Sequence, residues 1–179
     1  MSTFGFIGLV PVAGIMQQLD AAPNLWNERT ERRDSPDSVH ADMSDIWVRY
    51  AEGTPDSQTP HVSVMYPAWT VLKDMHGLVF DLMRSQCATQ LGGILITRIP
   101  PGGEIKPHDD RGTWHAEHYN RKVYVVLQGN ARCINECEGE ELAMRTGEVW
   151  TFDNLRSHSV QNGGTTDRIT LIVCMQVEA

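Results

Sequence analysis

From Gly92 onward the chain is a series of short, closely spaced runs rich in Ile, Val, Thr and aromatic residues: "ILITRI", "KVYVVL", "ARCIN", "GEVWTF" and "RITLIVCM". Each is bounded by Gly, Asn or Asp. β-Branched and aromatic side chains suit a pleated, half-buried surface, and punctuated runs of this length read as strands. Many short strands separated by turn signals must close into a sandwich or barrel to bury their faces. Roughly 85 residues of this pattern, with the earlier runs "DIWVRY" (45–50) and "HVSVMY" (61–66), suffice for an eight-stranded jelly roll at about five to six residues per strand. The expected fold is mainly β, and the mouth of such a barrel is a natural pocket for a small ligand.

The first half is mixed. "FGFIGLVPVAGIM" reads as a strand running into a short helix at 12–20; it is too short and too broken by Pro11 to span a membrane, and no basic residue precedes it. "TVLKDMHGLVFDLMRSQ" sets Val71, Leu72, Met75, Leu78, Val79, Leu82 and Met83 on one helical stripe, with His76 off it and exposed. The polar stretch 27–44 reads as a long loop, either a lid or a connector. A single domain over 1–179 is expected, with N-terminal helices and outer strands in 1–90 and the β core in 91–176. The net charge of −8 and the absence of a Lys/Arg cluster exclude a nucleic-acid-binding surface of the usual kind. The acidic "ECEGEE" (136–141) reads as a solvated loop. Four cysteines are too few for a disulfide scaffold, which suits a reducing, cytoplasmic setting.

The chemistry concentrates in "IPPGGEIKPHDDRGTWH" (99–115), where a turn delivers His108, Asp109 and Asp110 in a row. In extended chain, residues two apart share a face, so His108 and Asp110 project together while Asp109 points away. An imidazole and a carboxylate supply two of the three ligands of a facial triad for Fe(II), which leaves positions open for other ligands. Among the seven histidines, His158 is the best third ligand, because it opens the extended run "HSVQ". That run turns at "NGG" (162–164), a hairpin signal, and the fold-back sets His158 opposite Arg168. A guanidinium at that distance matches the far carboxylate of a metal-chelating dicarboxylate such as 2-oxoglutarate. Each piece taken alone also fits a polar turn or a surface arginine.

"ITRIPPGGEIKPHDD", "KVYVVLQGNARCINE" and "GEVWTFDNLRSHSVQNGGTTDRITLIVCM" together resemble the aspartyl/asparaginyl β-hydroxylase family of Fe(II)- and 2-oxoglutarate-dependent oxygenases, from about Leu91 to Met175. The resemblance implies a double-stranded β-helix, cupin-like, with His108, Asp110 and His158 as iron ligands, Arg168 on the distal carboxylate of 2-oxoglutarate, and O2 as the oxidant. Thr97 stands where the family often has a hydroxyl residue assisting that co-substrate. The family's R-x-H pair corresponds here to Lys122 and Tyr124, a departure that keeps a cation and a hydrogen-bonding ring with altered geometry. Some members lack the carboxylate ligand; Asp110 makes this a three-ligand site.

The implied activity is hydroxylation of a C–H bond in an amino acid, free or peptidyl, or a similar small substrate, releasing succinate and CO2. "GTWHAEHYN" (112–120) should border the pocket mouth as a loop, with Trp114, His115 and His118 as candidate substrate contacts. Trp150 and Phe152 read as an apolar wall or as ordinary core. The segment around Trp26, Arg29, Arg32 and Arg33 reads as a lid holding a carboxylate, or as solvated connector. Two other readings stay open: a cupin-like metalloprotein that uses no keto acid, and a non-catalytic jelly-roll binding module.

Overall fold

The computed structural model describes residues 2–53 and 58–178. Two antiparallel sheets face each other. The larger contains, in spatial order, β1 (Phe4–Leu9), β9 (Glu148–Phe152), β6 (Arg121–Gln128), β11 (Arg168–Val177), β4 (Ala88–Ile99), β2 (Ser44–Ala51) and β3 (Ser63–Met65). The smaller contains β5 (Glu104–His108), β10 (His158–Asn162), β7 (Cys133–Cys137) and β8 (Glu140–Leu142). Facing antiparallel sheets of interleaved strands are the jelly-roll arrangement that the strand pattern predicts. The early strands β1, β2 and β3 belong to the large sheet itself.

The period of two along the central strands decides what each face buries. On β6, Val123, Val125 and Leu127 turn outward to the helices, while Lys122, Tyr124 and Val126 turn to the barrel interior. On β11, Leu171, Val173 and Met175 face the helices, and Arg168, Ile172 and Cys174 line the interior. A strand buried on both faces reads as an almost continuous apolar run, which is why "RITLIVCM" shows little alternation. The helices α1 (Ala13–Ala21) and α4 (Met75–Ser85) cover the outer face through Ile15, Leu19, Met75, Val79 and Leu82.

The expected helix over 70–86 is broken. α3 (Ala68–Val71) ends at Leu72, whose φ of −91° and ψ of 61° are not helical. The break lets Leu72 and Met75 both reach the core, while Val71 is left exposed. His76 is not simply exposed. It stacks on Trp69 with ring centroids 3.8 Å apart, and its Nε2 donates to the Trp69 carbonyl at 2.7 Å.

"ECEGEE" is not a loop but the β7–β8 hairpin, its turn made by Glu138 and Gly139 at φ 50° and 81°. Two successive residues at positive φ match the twist of the flanking strands. The stretch 112–120 contains a short helix, α5 (Trp114–His118), with Thr113 at its N-cap accepting from the Ala116 N–H. Within 27–44 lies one helical turn, α2 (Glu31–Asp34).

The largest correction concerns "NGG". β10 and β11 are not a hairpin; they lie in different sheets, and 163–167 crosses between them. Asn162 explains the crossover. It is fully buried, its Nδ2 donates to the carbonyls of Ile99 (3.0 Å) and Thr166 (2.9 Å), and its Oδ1 accepts from Gly164 N–H (3.2 Å). The side chain thus satisfies backbone groups that a tight hairpin would have paired. The ladder partner of His158 is His108, not Arg168, which pairs with Ile99. No helix among the described residues is long and apolar enough to cross a membrane.

Candidate metal centre and cavity

The β5–β10 ladder brings His108 and His158 side by side, with ring centroids 4.3 Å apart. Asp110 follows β5 immediately, and its Oδ1 lies 3.9 Å from His108 Nε2. The ligand atoms of His108, Asp110 and His158 all fall within 4.8 Å of one another, close enough for one divalent cation to draw together. Asp109 turns away and pairs with Arg111 at 2.6 Å.

Both imidazoles are held in one tautomer by backbone carbonyls, which can only accept. His108 Nδ1 donates to Lys106 O at 2.8 Å, and His158 Nδ1 donates to Arg156 O at 2.9 Å. The Nε2 lone pairs are therefore left for a metal, the orientation such outer hydrogen bonds impose in metal sites. Burial holds His158 near a pKa of about 4, so it is the neutral, ligating form at neutral pH. Asp110 is kept ionised: burial opposes its charge, but Lys122 and Asn154 outweigh it and lower its pKa. Lys122 Nζ lies 2.5 Å from Asp110 Oδ2, and Asn154 Nδ2 donates to the same oxygen at 2.8 Å. Two imidazoles and one carboxylate are a donor set suited to first-row divalent metals, iron among them.

The triad opens on a cavity of about 510 Å³ between the sheets, which Arg168, Thr97, Lys122 and Tyr124 also line. Arg168 is only 2% exposed, and among the described residues its side-chain hydrogen bond is to Asn135 Oδ1, to which Nη2 donates at 2.9 Å. Burial lowers its pKa, and no carboxylate of the described residues is paired with it. The Thr97 hydroxyl, on the neighbouring strand, is buried with no hydrogen-bond partner. An unpaired buried guanidinium is costly unless something anionic meets it.

Of the three residues expected at the mouth, the structure brings His115 to the cavity. Trp114 and His118 stack on each other at 4.4 Å, with Trp114 Nε1 donating to His61 O and His118 Nε2 against Gln90 Oε1. Helical spacing turns those two to the far side of α5. Phe152 packs edge-on against the His158 ring at 5.0 Å, and Trp150, on the same face of β9, packs against the same inner cluster farther from the cavity, its ring 4.9 Å from that of Phe6. From 27–44, Arg32 reaches the cavity, paired with Asp45 at 2.8 Å. Arg29 instead lies over Trp47, Arg33 pairs with Asp34, and Trp26 stacks under Arg98.

Apart from His115, the outer part of the cavity is not legible in the sequence. It is walled by His40, Tyr50, His61, His115 and Tyr119. Both ring nitrogens of His115, the His61 Nε2 and the Tyr119 hydroxyl are buried without partners, so a polar ligand has groups to meet. One signal was present: the Gly92–Gly93 pair inside β4. A Cβ on Gly92 would stand 2.5 Å from the Tyr119 ring, and one on Gly93 2.7 Å from His115, so the pair makes room for both rings.

Burial drives His115 down to about 3, with the Lys122 charge adding to the shift, and His40 down to about 2, with Arg32 adding. An unfolded imidazole titrates near 6.5. These side chains and His158 therefore take up protons on unfolding below that pH, and stability falls as pH drops from 6.5 through their folded values. The slope is about 1.4 kcal/mol per pH unit for each group. Urea unfolding of chelator-treated protein should show this steep loss between about pH 6.5 and 4, and His115→Phe should remove one proton's share of it. A profile as steep in the variant as in the wild type would contradict the assignment.

A mainly β jelly roll with a His–Asp–His cluster at the barrel mouth defines the class: a cupin-like fold built around a site able to bind metal. The profile of the aspartyl/asparaginyl β-hydroxylases matches residues 21–177. The chain belongs to that family. Among solved structures it is similar to an oxidoreductase of the 2OG-Fe(II) oxygenase family from Burkholderia pseudomallei, with 13% identity and a TM-score of 0.62 over 96% of this chain and 84% of that one. It is also similar to a cupin 2 conserved barrel domain protein from Salinispora arenicola, with 15% identity and a TM-score of 0.37 over 48% of this chain and 63% of that one. No curated protein matches it.

Proposed function

We propose that the protein is a 2-oxoglutarate-dependent non-haem iron hydroxylase acting on an amino acid, free or peptidyl, or a similar small polar substrate. The observation that carries this reading is Arg168, a buried cation with no anionic partner among the described residues, opening on the same cavity as the His108–Asp110–His158 cluster. A cupin-like metalloprotein that uses no keto acid leaves that guanidinium without a purpose.

His108, Asp110 and His158 would hold the iron. Ferrous iron with 2-oxoglutarate and O2 supplies oxidation of an unactivated C–H bond, with succinate and CO2 released. The chain's own residues bind and shield. Arg168 offers a planar fork to the distal carboxylate of the co-substrate, the Thr97 hydroxyl stands ready to donate beside it, and the Tyr124 ring lies 5.7 Å from the guanidinium carbon. The outer wall, with Arg32 and the unpartnered groups of His115 and Tyr119, supports a substrate rich in polar atoms.

The test is succinate formation from 2-oxoglutarate with added Fe(II), screened across amino acids and short peptides. Substrate-stimulated, iron-dependent succinate is the expected outcome. Succinate at background level with every candidate, from protein shown to be folded and iron-loaded, would overturn the reading.

A further inference from the structure

We propose that Lys122 and Asn154 are positioning residues for the carboxylate of Asp110. They occupy Oδ2, so that Oδ1 is the oxygen left to meet the metal. The inference rests on the ligand assignment made under Proposed function.

Three chain segments from both sheets meet at this carboxylate. Lys122 comes from β6 in the large sheet, Asp110 from the end of β5 in the small one, and Asn154 from the turn after β9. Lys122 Nζ and Asn154 Nδ2 reach Oδ2 at 2.5 and 2.8 Å. Asn154 holds the residue a second time, since its carbonyl accepts the Asp110 N–H at 3.0 Å, and Thr113 Oγ1 donates to the Asp110 carbonyl at 2.8 Å. A carboxylate oxygen has about two lone-pair sites, so two strong donors saturate Oδ2. His108 Nε2, whose lone pair is free, stands 3.9 Å from Oδ1, beyond hydrogen-bond reach.

The consequence is one-oxygen coordination by Asp110, which leaves the ion a position that a two-oxygen mode would consume. An ammonium carries three N–H donors, so Lys122 spends one on Oδ2 and keeps two toward the cavity it lines.

The experiment uses the full chain loaded with Zn(II) and isotope-labelled aspartate, with Asp110→Asn as the spectral blank. Infrared difference spectra of metal-loaded against chelated protein report the separation of the antisymmetric and symmetric carboxylate stretches, which is wide for one-oxygen binding and narrow for two. Wild type should show the wide separation. Asn154→Leu and Lys122→Met should each narrow it, and Lys122→Arg should restore it. Asn154→Leu should also weaken Mn(II) binding by about 10- to 100-fold, the usual effect of losing an outer partner of a metal ligand. If Asn154→Leu fails to fold, Lys122→Met and Lys122→Arg carry the test. Unchanged bands in Lys122→Met, with metal still bound, would overturn the proposal. Wild-type protein that binds neither metal removes the ligand assignment itself, which distinguishes that failure from this one.

Discussion

His158→Ala is expected to abolish metal binding while leaving a folded protein. The imidazole sits on the central strand of the small sheet's β5–β10–β7 array and supplies an Nε2 whose direction is set by the bond from Nδ1 to the Arg156 carbonyl. Without it, His108 and Asp110 remain as a two-ligand pair. Losing an outer-shell partner typically costs about 10- to 100-fold in metal affinity, so losing a ligand should cost at least the upper end of that range. The structural penalty is smaller. The ring packs against Phe152 and satisfies one carbonyl, which sets the loss at about 1–2 kcal/mol. Thermal melts separate the two effects. Fe(II) or Mn(II) at a hundred times its dissociation constant should stabilise wild type by about 2.7 kcal/mol, a midpoint rise of roughly 5–10 °C for a chain of this size. His158→Ala should show no rise at the same concentration. An equal rise in both proteins would mean the metal, if bound, sits elsewhere.

The parts of this site that could be read in the sequence are those for which a local pattern forces a spatial one. His108 and Asp110 are two apart in an extended stretch, so their shared face follows from strand geometry alone. The jelly roll was likewise legible, because "KVYVVL", "RITLIVCM" and the runs around them are short, rich in β-branched residues and punctuated by turn residues. Pairing between strands was less accessible. "NG" is a hairpin signal only while its backbone groups need each other, and the Asn162 side chain bonds the Ile99 and Thr166 carbonyls instead. Arg168 still lines the cavity that His158 lines, but from the facing sheet rather than from an adjoining strand. The outer wall was hidden for a different reason. His40, Tyr50, His61 and Tyr119 come from separate segments, and no short-range spacing links them. Lys122 shows the same limit at single-residue scale. Its place on β6 put it in the interior, but its choice of Asp110 as partner depends on where β5 ends in the opposite sheet.

Arg168→Met is expected to remove use of 2-oxoglutarate without destabilising the protein, and the combination is what makes it informative. Removing one partner of a buried, hydrogen-bonded charge pair typically costs about 2–4 kcal/mol of binding, which is roughly a 30- to 1,000-fold rise in the 2-oxoglutarate dissociation constant. In the free protein the balance runs the other way. The guanidinium is buried with Asn135 as its side-chain partner, and replacing an ill-compensated buried charge by an apolar side chain of similar length is often neutral or stabilising. The Asn135 oxygen left behind costs about 1–3 kcal/mol, so denaturant unfolding should place the variant within about 1 kcal/mol of wild type, or above it. Arg168→Lys keeps the charge but not the planar fork, and should fall between the two in affinity. A purely structural arginine predicts the reverse pattern, a destabilised variant whose surviving folded fraction turns over 2-oxoglutarate normally. Equal succinate formation by wild type and Arg168→Met would therefore withdraw the co-substrate assignment, because the one buried feature that calls for a dicarboxylate would have been shown to need none.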